Sequence, residues 1–589
     1  MSRMDTDSTA PVRRRVLIVA EHRRGHGSGH LHRCARLARD LAGDVDWLLP
    51  NHATREAYGR KEVFQILGDP NVPVHWVDVP HGPYDVVVLD RRSTSVQELR
   101  ELQCTGIVVG IDTAGAARDR VHYTIDTLEP PPGATRANIS DVGLLHLPDT
   151  VRPEWPETIK SVLLVFGGEG NGDQTVARAQ ELATSGAWSI TVVTPGPAEL
   201  PPELSNLTSR GSLPEELHRY DAVITHFGLT AYEATWARVP VVLLNPSAYH
   251  ERLARNAGFV TVRTMQQAGR RLHDLSTLVQ VGRRIRPSGR SNLGNLINAL
   301  TVPSRTTSPV TQERFLPAVE RFGECTFFAE GETGLRYMQR FRPLSVSYDH
   351  DYFFADYQKQ YGKTYLEDFP HIKAMGKRRI AEILGVVRDI PPGKPVRLLD
   401  IGCAYGPFMQ AAADAGVDPT GIDVSRDAVA YVQRKLGFAA HSGDIRLIGS
   451  ADVGGPFDIV TMWYVIEHFP DLDTVLQRVA DLLRPGGLFA FSTPNRGGIS
   501  GRRDQREFLR RSPEDHYTIM DRTSATHVLS RFGFNLTHFR STGHHPERFG
   551  LPLSSRGASG KGVGHRVLGG ISRILELGDT FEAIAEKRS

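Results

Sequence analysis

The sequence predicts an α/β chain made of successive doubly wound layers, and three observations carry that prediction. Short β-branched runs alternate with longer amphipathic stretches along nearly the whole chain. The runs are apolar from end to end, as parallel strands covered on both faces should be. Glycines gather where strands give way to helices, a place where backbone amides can approach a ligand closely. A chain of 589 residues is also too long for one compact domain, and 40% apolar with 23% charged residues can bury sizeable cores.

Taken in order, residues 1 to about 12 read as a loose polar tail. The first strands are expected at Val16–Ala20, Val45–Leu49, Val86–Asp90, Gly106–Asp112, Ser161–Phe166, Ser189–Thr194, Ala222–Thr225 and Val239–Leu244. A proline-rich stretch near Glu129–Pro132 separates them into two Rossmann-like halves, about 13–145 and 155–300, which together form one domain over 13–300. Thr301–Val310 is polar and rich in breakers, as a linker is. Aromatic residues crowd 325–370, too apolar for a free tether, so 301–370 reads as a linker followed by a segment that packs as a lid. A third α/β alternation occupies 371–589, with strands at Val396–Asp400, Gly421–Val424, Phe457–Met462 and Leu488–Ser492.

Composition excludes several classes. Lys plus Arg (70) nearly balance Asp plus Glu (67), and a net +3 gives no support for nucleic acid as a partner. Cys34, Cys104, Cys325 and Cys403 lie far apart, so neither a disulfide framework nor a cysteine zinc site is expected. The apolar run after Arg13–Arg15 is too short for a secretory signal or a membrane span. A soluble, cytoplasmic protein is the expectation. His26 and His30 sit among glycines with no carboxylate at ligand spacing, so no metal is expected.

The C-terminal motifs are the more specific. Val396-Arg-Leu-Leu-Asp400 runs into Ile401-Gly402-Cys403-Ala404-Tyr405-Gly406, and Gly421-Ile422-Asp423 closes the next strand. An acidic side chain at that second position can accept from both hydroxyls of a ribose, which would suit several nucleotide cofactors. Asp400 before the first glycine, the D-x-G-x-x-x-G spacing, Gly443-Asp444-Ile445, Glu467-His468-Phe469-Pro470 and Leu482-Leu-Arg-Pro485-Gly486-Gly487 narrow the choice. Together they resemble class I S-adenosylmethionine-dependent methyltransferases, in particular the ubiquinone-biosynthesis-like group. That resemblance implies a seven-stranded sheet with its last strand antiparallel, the last two strands lying around Gly533 and Asp579–Glu586. It implies S-adenosyl-L-methionine as cofactor, with Asp400, Gly402 and Gly406 by the methionine moiety, Asp423 on the ribose and Asp444 near the adenine. Ala404 stands where the group commonly has glycine. His468 is either a general base toward an acceptor hydroxyl or, with Glu467, a cap on the loop. Cys403 reads as a small loop residue.

Near the N-terminus, Gly25-His26-Gly27-Ser28-Gly29-His30 follows the first strand. Gly167-Gly168 ends a later one, and His226-Phe227-Gly228-Leu229-Thr230-Ala231-Tyr232-Glu233 leads another into a helix. These motifs, with Asp90 and Ile111-Asp112, resemble the GT-B superfamily, most closely the nucleotide-sugar hydrolase of pseudaminic acid biosynthesis and related spore-coat polysaccharide proteins. The resemblance implies a UDP-linked sugar as ligand, a diphosphate on the amides of Gly228–Thr230, Glu233 on the uridine ribose, and Gly27, Gly29, Gly167 and Gly168 around the sugar. His30 would activate water or an acceptor hydroxyl, or else only position the donor. Arg91-Arg92, His226 and Asn245-Pro246 depart from the hydrolase pattern, so hydrolysis, glycosyl transfer and binding alone all stay open.

The function expected from these two readings is a fused enzyme. A methyltransferase, O-methylating a sugar or glycan, follows a domain that hydrolyses, transfers or simply binds a nucleotide-sugar. The alternative from another class makes the N-terminal half a binding or regulatory module.

Overall fold

The computed structural model describes residues 13–20, 29–48, 75–77, 79–91, 94–166, 172–194, 200–207, 213–344, 357–388, 393–549 and 563–588. They divide into two compact units, 1–306 with 321–325, and 307–320 with 326–589.

The first unit holds two parallel sheets. Strands β1 (Arg15–Ala20), β2 (Asp44–Leu48), β3 (His75–Val77), β4 (Tyr84–Asp90), β5 (Cys104–Ile111), β6 (Tyr123–Asp126) and β7 (Ile139–Ser140) lie in the order β3-β2-β1-β4-β5-β6-β7. Strands β8 (Ser161–Val165), β9 (Ser189–Val193), β10 (Leu204–Leu207), β11 (Ala222–Thr225), β12 (Val241–Leu244) and β13 (Val260–Val262) follow in the order β10-β9-β8-β11-β12-β13. Both orders reverse direction beside their first strand, which opens a crevice at the carboxyl ends there. Apolar runs decide which strands are central: Val16–Ala20 and Val86–Leu89 are almost wholly shielded from water. Helix α1 (Gly29–Asp40) follows β1, and helix α2 (Leu229–Trp236) follows β11.

The second unit starts with a different motif. Strands β14 (Ala318–Arg321), β15 (Cys325–Ala329) and β16 (Arg336–Arg340) join β22 (Thr518–Ile519) in a four-stranded sheet. The aromatic-rich stretch therefore spends its apolar side chains partly on strand packing: Phe328 stacks on Tyr337 with ring centroids 5.5 Å apart. Residues 345–356, which hold four more of its aromatics, lie outside the described residues.

The larger sheet of this unit contains β17 (Arg397–Ile401), β18 (Asp418–Asp423), β19 (Ala439–Ser442), β20 (Phe457–Trp463), β21 (Leu483–Pro494), β23 (Phe534–Thr542) and β24 (Thr580–Lys587), ordered β19-β18-β17-β20-β21-β24-β23. Its first five strands are parallel, whereas β24 pairs antiparallel with both β21 and β23. This is the Rossmann-like arrangement with an inverted last strand that the motifs implied, and β23 begins directly after Gly533. Phe489, Phe491, Phe534 and Phe581 pack in one core beneath β21 and β24.

Helix α3 (Tyr365–Leu384) enters through a reciprocal cap, in which Thr364 and Glu367 satisfy each other's backbone donors. Helix α4 (Pro407–Asp414) starts with proline at its first turn, straight after Gly406 in a left-handed conformation (φ 79°). No helix among the described residues is long and apolar enough to cross a membrane.

Candidate active site

In the second unit, the parallel register sets Asp400 beside Gly421 and Thr461, and Asp423 ends the neighbouring strand. Two carboxylates thus stand buried at the carboxyl ends of adjacent strands, 2% and 7% exposed. Asp400 accepts from the Thr461 hydroxyl at 2.7 Å. Burial is the main reason its carboxyl is pushed up to about 7; the charge of Asp423 adds to that, while the Thr461 hydrogen bond and Arg379 oppose it. Asp423 accepts from the amides of Ala404 and Ser425, each at 2.8 Å, and burial still raises its pKa.

The loop between them needs its glycines. A Cβ on Gly402 (φ 74°) would lie 2.4 Å from a Val465 methyl, and one on Gly406 would lie 2.8 Å from Leu436. Ala404 is itself left-handed (φ 47°), a conformation glycine adopts more cheaply, and its amide is the one that donates to Asp423. Around this loop gather Tyr365, Tyr405 and Tyr431, with Tyr365 and Tyr405 centroids 6.0 Å apart and Tyr405 and Tyr431 5.2 Å apart. Burial pushes the Cys403 thiol well up, so it is no ready nucleophile.

Asp444 follows β19 with its carboxylate engaged by Arg446 at 2.9 Å, and Arg446 also reaches Asp471 at 2.8 Å. The turn after β20 carries Glu467 and His468. His468 Nδ1 lies 3.0 Å from Asp515, and its ring meets that of His516 edge-on at 4.8 Å. Burial opposes a charge on His468, yet Asp515 and Glu467 together raise its pKa. Burial pushes Glu467 up to about 7 and His516 down to about 3. Asp515 and His516 went unnoticed in the sequence because no motif spacing links them to Glu467-His468; only the fold brings the two segments together. The amide of Tyr517 donates to the Glu467 carbonyl at 2.7 Å, and that of Met338 to the Tyr517 carbonyl at 2.7 Å.

Taken chemically, the site sets two buried carboxylates, with Arg379 easing the charge of Asp400, beside a loop shaped for close backbone approach. A ligand carrying positive charge and ribose hydroxyls fits that donor set.

Residues 372–539 match the family described as "Methyltransferase domain". The chain is similar to the ubiquinone biosynthesis O-methyltransferase of Thiobacillus denitrificans, at 36% identity over 108 residues, 18% of this chain and 47% of that protein. The Burkholderia thailandensis protein of the same description is 27% identical over 172 residues, 27% of this chain and 73% of that one. A solved S-adenosylmethionine-dependent methyltransferase from Archaeoglobus fulgidus aligns at a TM-score of 0.30 with 19% identity, over 40% of this chain and 100% of that one. The chain spans about half the length of the first curated relatives it matches. Residues 372–539 of the second unit carry a methyltransferase domain, and S-adenosyl-L-methionine is its cofactor.

The first unit has its own constellation at the carboxyl ends of β1, β4, β5, β6, β11 and β12. A cleft lies there, lined among others by His30, Asp112, Arg118, Phe227, Gly228 and His250. His30 Nδ1 is 2.5 Å from Asp90. Arg33, one turn further along α1, grips Asp90 through Nε at 2.8 Å and Nη2 at 2.6 Å, and binds Asp112 and Thr127 through Nη1. Arg33 and His30 hold the Asp90 carboxyl well below the usual range even though burial opposes this.

Gly228 lines the cleft as the residue before α2. Thr230 and Glu233 do not: Glu233 is buried with its pKa pushed up to about 7 by that burial, Glu215 adding to it while Arg36 and Thr230 oppose it. Gly29 begins α1. Gly27, Gly167 and Gly168 lie outside the described residues.

Arg33→Met is expected to lower the stability of the first unit by about 3–5 kcal/mol, because it leaves the buried Asp90 and the half-buried Asp112 without the cation they share. A urea titration followed through that unit's transition should show the midpoint fall, and adding Asp90→Asn should recover part of the loss. An unchanged midpoint would remove Arg33 from this role.

Proposed function

We propose that the chain is an S-adenosylmethionine-dependent O-methyltransferase acting on a sugar or glycan, with an N-terminal unit that binds a UDP-linked sugar. The observation that carries the methyltransferase half is the pair Asp400 and Asp423 flanking the Gly402–Gly406 loop. Transfer to oxygen is favoured by the O-methyltransferases similar to this domain. The sugar acceptor is favoured by the neighbouring unit.

In this reading the Asp423 carboxylate accepts from the ribose hydroxyls, its two amide contacts fixing its orientation. Asp400 faces the methionine ammonium, Gly402 and Gly406 let the loop close around that moiety, and Asp444, steadied by Arg446, stands near the adenine. The bound cofactor supplies an electrophilic methyl group. Aligning the acceptor oxygen with it is the protein's main task, since methyl transfer from a sulfonium depends on alignment more than on a strong base. His468, braced by Asp515, stands ready to hold or take a proton at that acceptor.

In the N-terminal unit the reading places a diphosphate on the amides at Gly228–Thr230 and the sugar near His30. Glu233, buried against Thr230, would reach the uridine ribose only by turning out of its present packing. The His30–Asp90 pair supports a general base for hydrolysis or transfer, the carboxylate holding one ring nitrogen so that the other faces the cleft. A second reading has support from the same network. Arg33 already neutralises Asp90, so His30 in that case only positions the donor and the unit is a binding module. In either case, fusion raises the effective concentration of the sugar at the methyltransferase.

Mass spectrometry of reactions containing the full chain, S-adenosylmethionine and a panel of nucleotide sugars should show one acceptor gaining a methyl group. His30→Ala should abolish sugar or nucleotide release if the first unit is an enzyme, and leave binding intact in both readings. No methylated product from sugars, free or nucleotide-linked, would sink the proposed acceptor class.

The Asp400 carboxyl also predicts a pH dependence. Its pKa near 7 means that the free pocket is partly protonated at neutral pH, and a cationic ligand favours the ionised form. Binding should therefore release a proton near pH 7, and affinity should fall on going from pH 8 to pH 6, by at most about tenfold per unit. Calorimetry in two buffers of different ionisation enthalpy reads this directly; an affinity flat across that range would remove Asp400 from the pocket.

A further inference from the structure

The turn after β20 holds a cluster of which the methyltransferase reading uses only His468. Glu467, His468 and His516 each offer one ligand atom, and these atoms all lie within 4.8 Å of one another. Glu467 is 0% exposed, and among the described residues neither of its oxygens has a well-formed hydrogen bond, the nearby Thr493 hydroxyl giving only weak relief. Nδ1 of His516 is buried and likewise without a hydrogen-bond partner among the described residues. Leaving a buried polar group unsatisfied is costly, and more so for a charged one. Several such atoms converging on one point are what a cation site looks like before its ion is added.

Three details agree with that. His468 Nδ1 is held by Asp515 at 3.0 Å, the carboxylate brace that typically orients a ligating imidazole. The Tyr517 amide, bonded to the Glu467 carbonyl at 2.7 Å, ties the segment carrying His516 to the turn carrying the other two. Ligands around an ion with bonds of roughly 2.0–2.2 Å lie about 3–4 Å apart, so side-chain rotations of ångström size would close the set. Two imidazoles and one carboxylate, with no thiolate, match first-row divalent ions such as zinc, manganese, iron or cobalt better than calcium or magnesium.

We propose that Glu467, His468 and His516 form a binding site for one divalent first-row transition metal, placed to take the methyl acceptor's hydroxyl oxygen. This deepens the methyltransferase reading and rests on it. The site lies at the carboxyl end of β20, and Val465 of the same turn packs against Gly402 of the cofactor loop. A cation there would make the acceptor hydroxyl more acidic. The oxygen loses its proton to solvent and forms a bond to the methyl carbon as the carbon–sulfur bond breaks. S-adenosylhomocysteine and the methyl ether result, one proton is released, and the metal keeps its oxidation state. His468 in this arrangement is a ligand and not the base.

The test uses the full chain, freed of metal with a chelator and titrated with Co²⁺. Visible absorption and calorimetry should report one tight site per chain. Glu467→Gln and His516→Ala should each weaken it by about 10–100-fold, with the far-ultraviolet dichroism of wild type. S-adenosylmethionine binding, measured without metal, should stay as in wild type; its absence already in wild type would strike the methyltransferase reading instead. The metal proposal is overturned by wild type taking up no stoichiometric Co²⁺, or by both variants binding it as tightly as wild type does. His516→Asn serves in place of His516→Ala if the latter unfolds.

Discussion

The second unit is organised by the burial of negative charge at the ends of neighbouring parallel strands. Asp400 and Asp423 are placed there by the register of β17 on β18, which no local change can alter without moving the sheet. Once they are there, the Gly402–Gly406 loop has to pass close by: the Ala404 amide satisfies one oxygen of Asp423, and Val465 closes on Gly402. The strained Ala404 backbone is held by this arrangement and does not cause it. Burial raises the pKa of both carboxylates, so each gains from a positive charge brought near it.

The first unit uses a related device with a different result. Asp90 and Asp112 also sit at strand ends, but there Arg33 supplies the positive charge from within the protein. A network completed internally is a rigid wall, whereas one left incomplete is a receptor. That contrast explains why His30, on the rim of the first network, faces a cleft while its partner carboxylate stays locked.

Much of this was legible from the sequence. The central strands showed themselves because a strand covered on both faces must be apolar throughout, as Val16–Ala20 and Val86–Leu89 are. The inverted last strand was legible through Gly533 and the run to Glu586. Short edge strands such as β3, β7, β10 and β22 were not, since a few residues carry no readable period and tertiary pairing alone defines them. Strand β16, Arg336-Tyr-Met-Gln-Arg340, hides behind charged ends, of which Arg340 pairs with Glu514. Strand β21 starts earlier than its apolar run, because Leu483 pairs with Phe457 before a bulge restores the register. Within the site, Asp400, Asp423 and His468 stood out through motifs. Arg33, Asp515 and His516 act only through contacts across long stretches of chain, and no motif could show that Glu233 is buried on its helix.

Calorimetry of the full chain with S-adenosylmethionine, wild type against Asp423→Ala, tests the central claim most directly. The account predicts one site per chain in wild type and an affinity loss of about 100-fold or more when the ribose acceptor is removed, two charge-assisted hydrogen bonds at roughly 1.5–3 kcal/mol each. An affinity for the variant equal to that of wild type would contradict it.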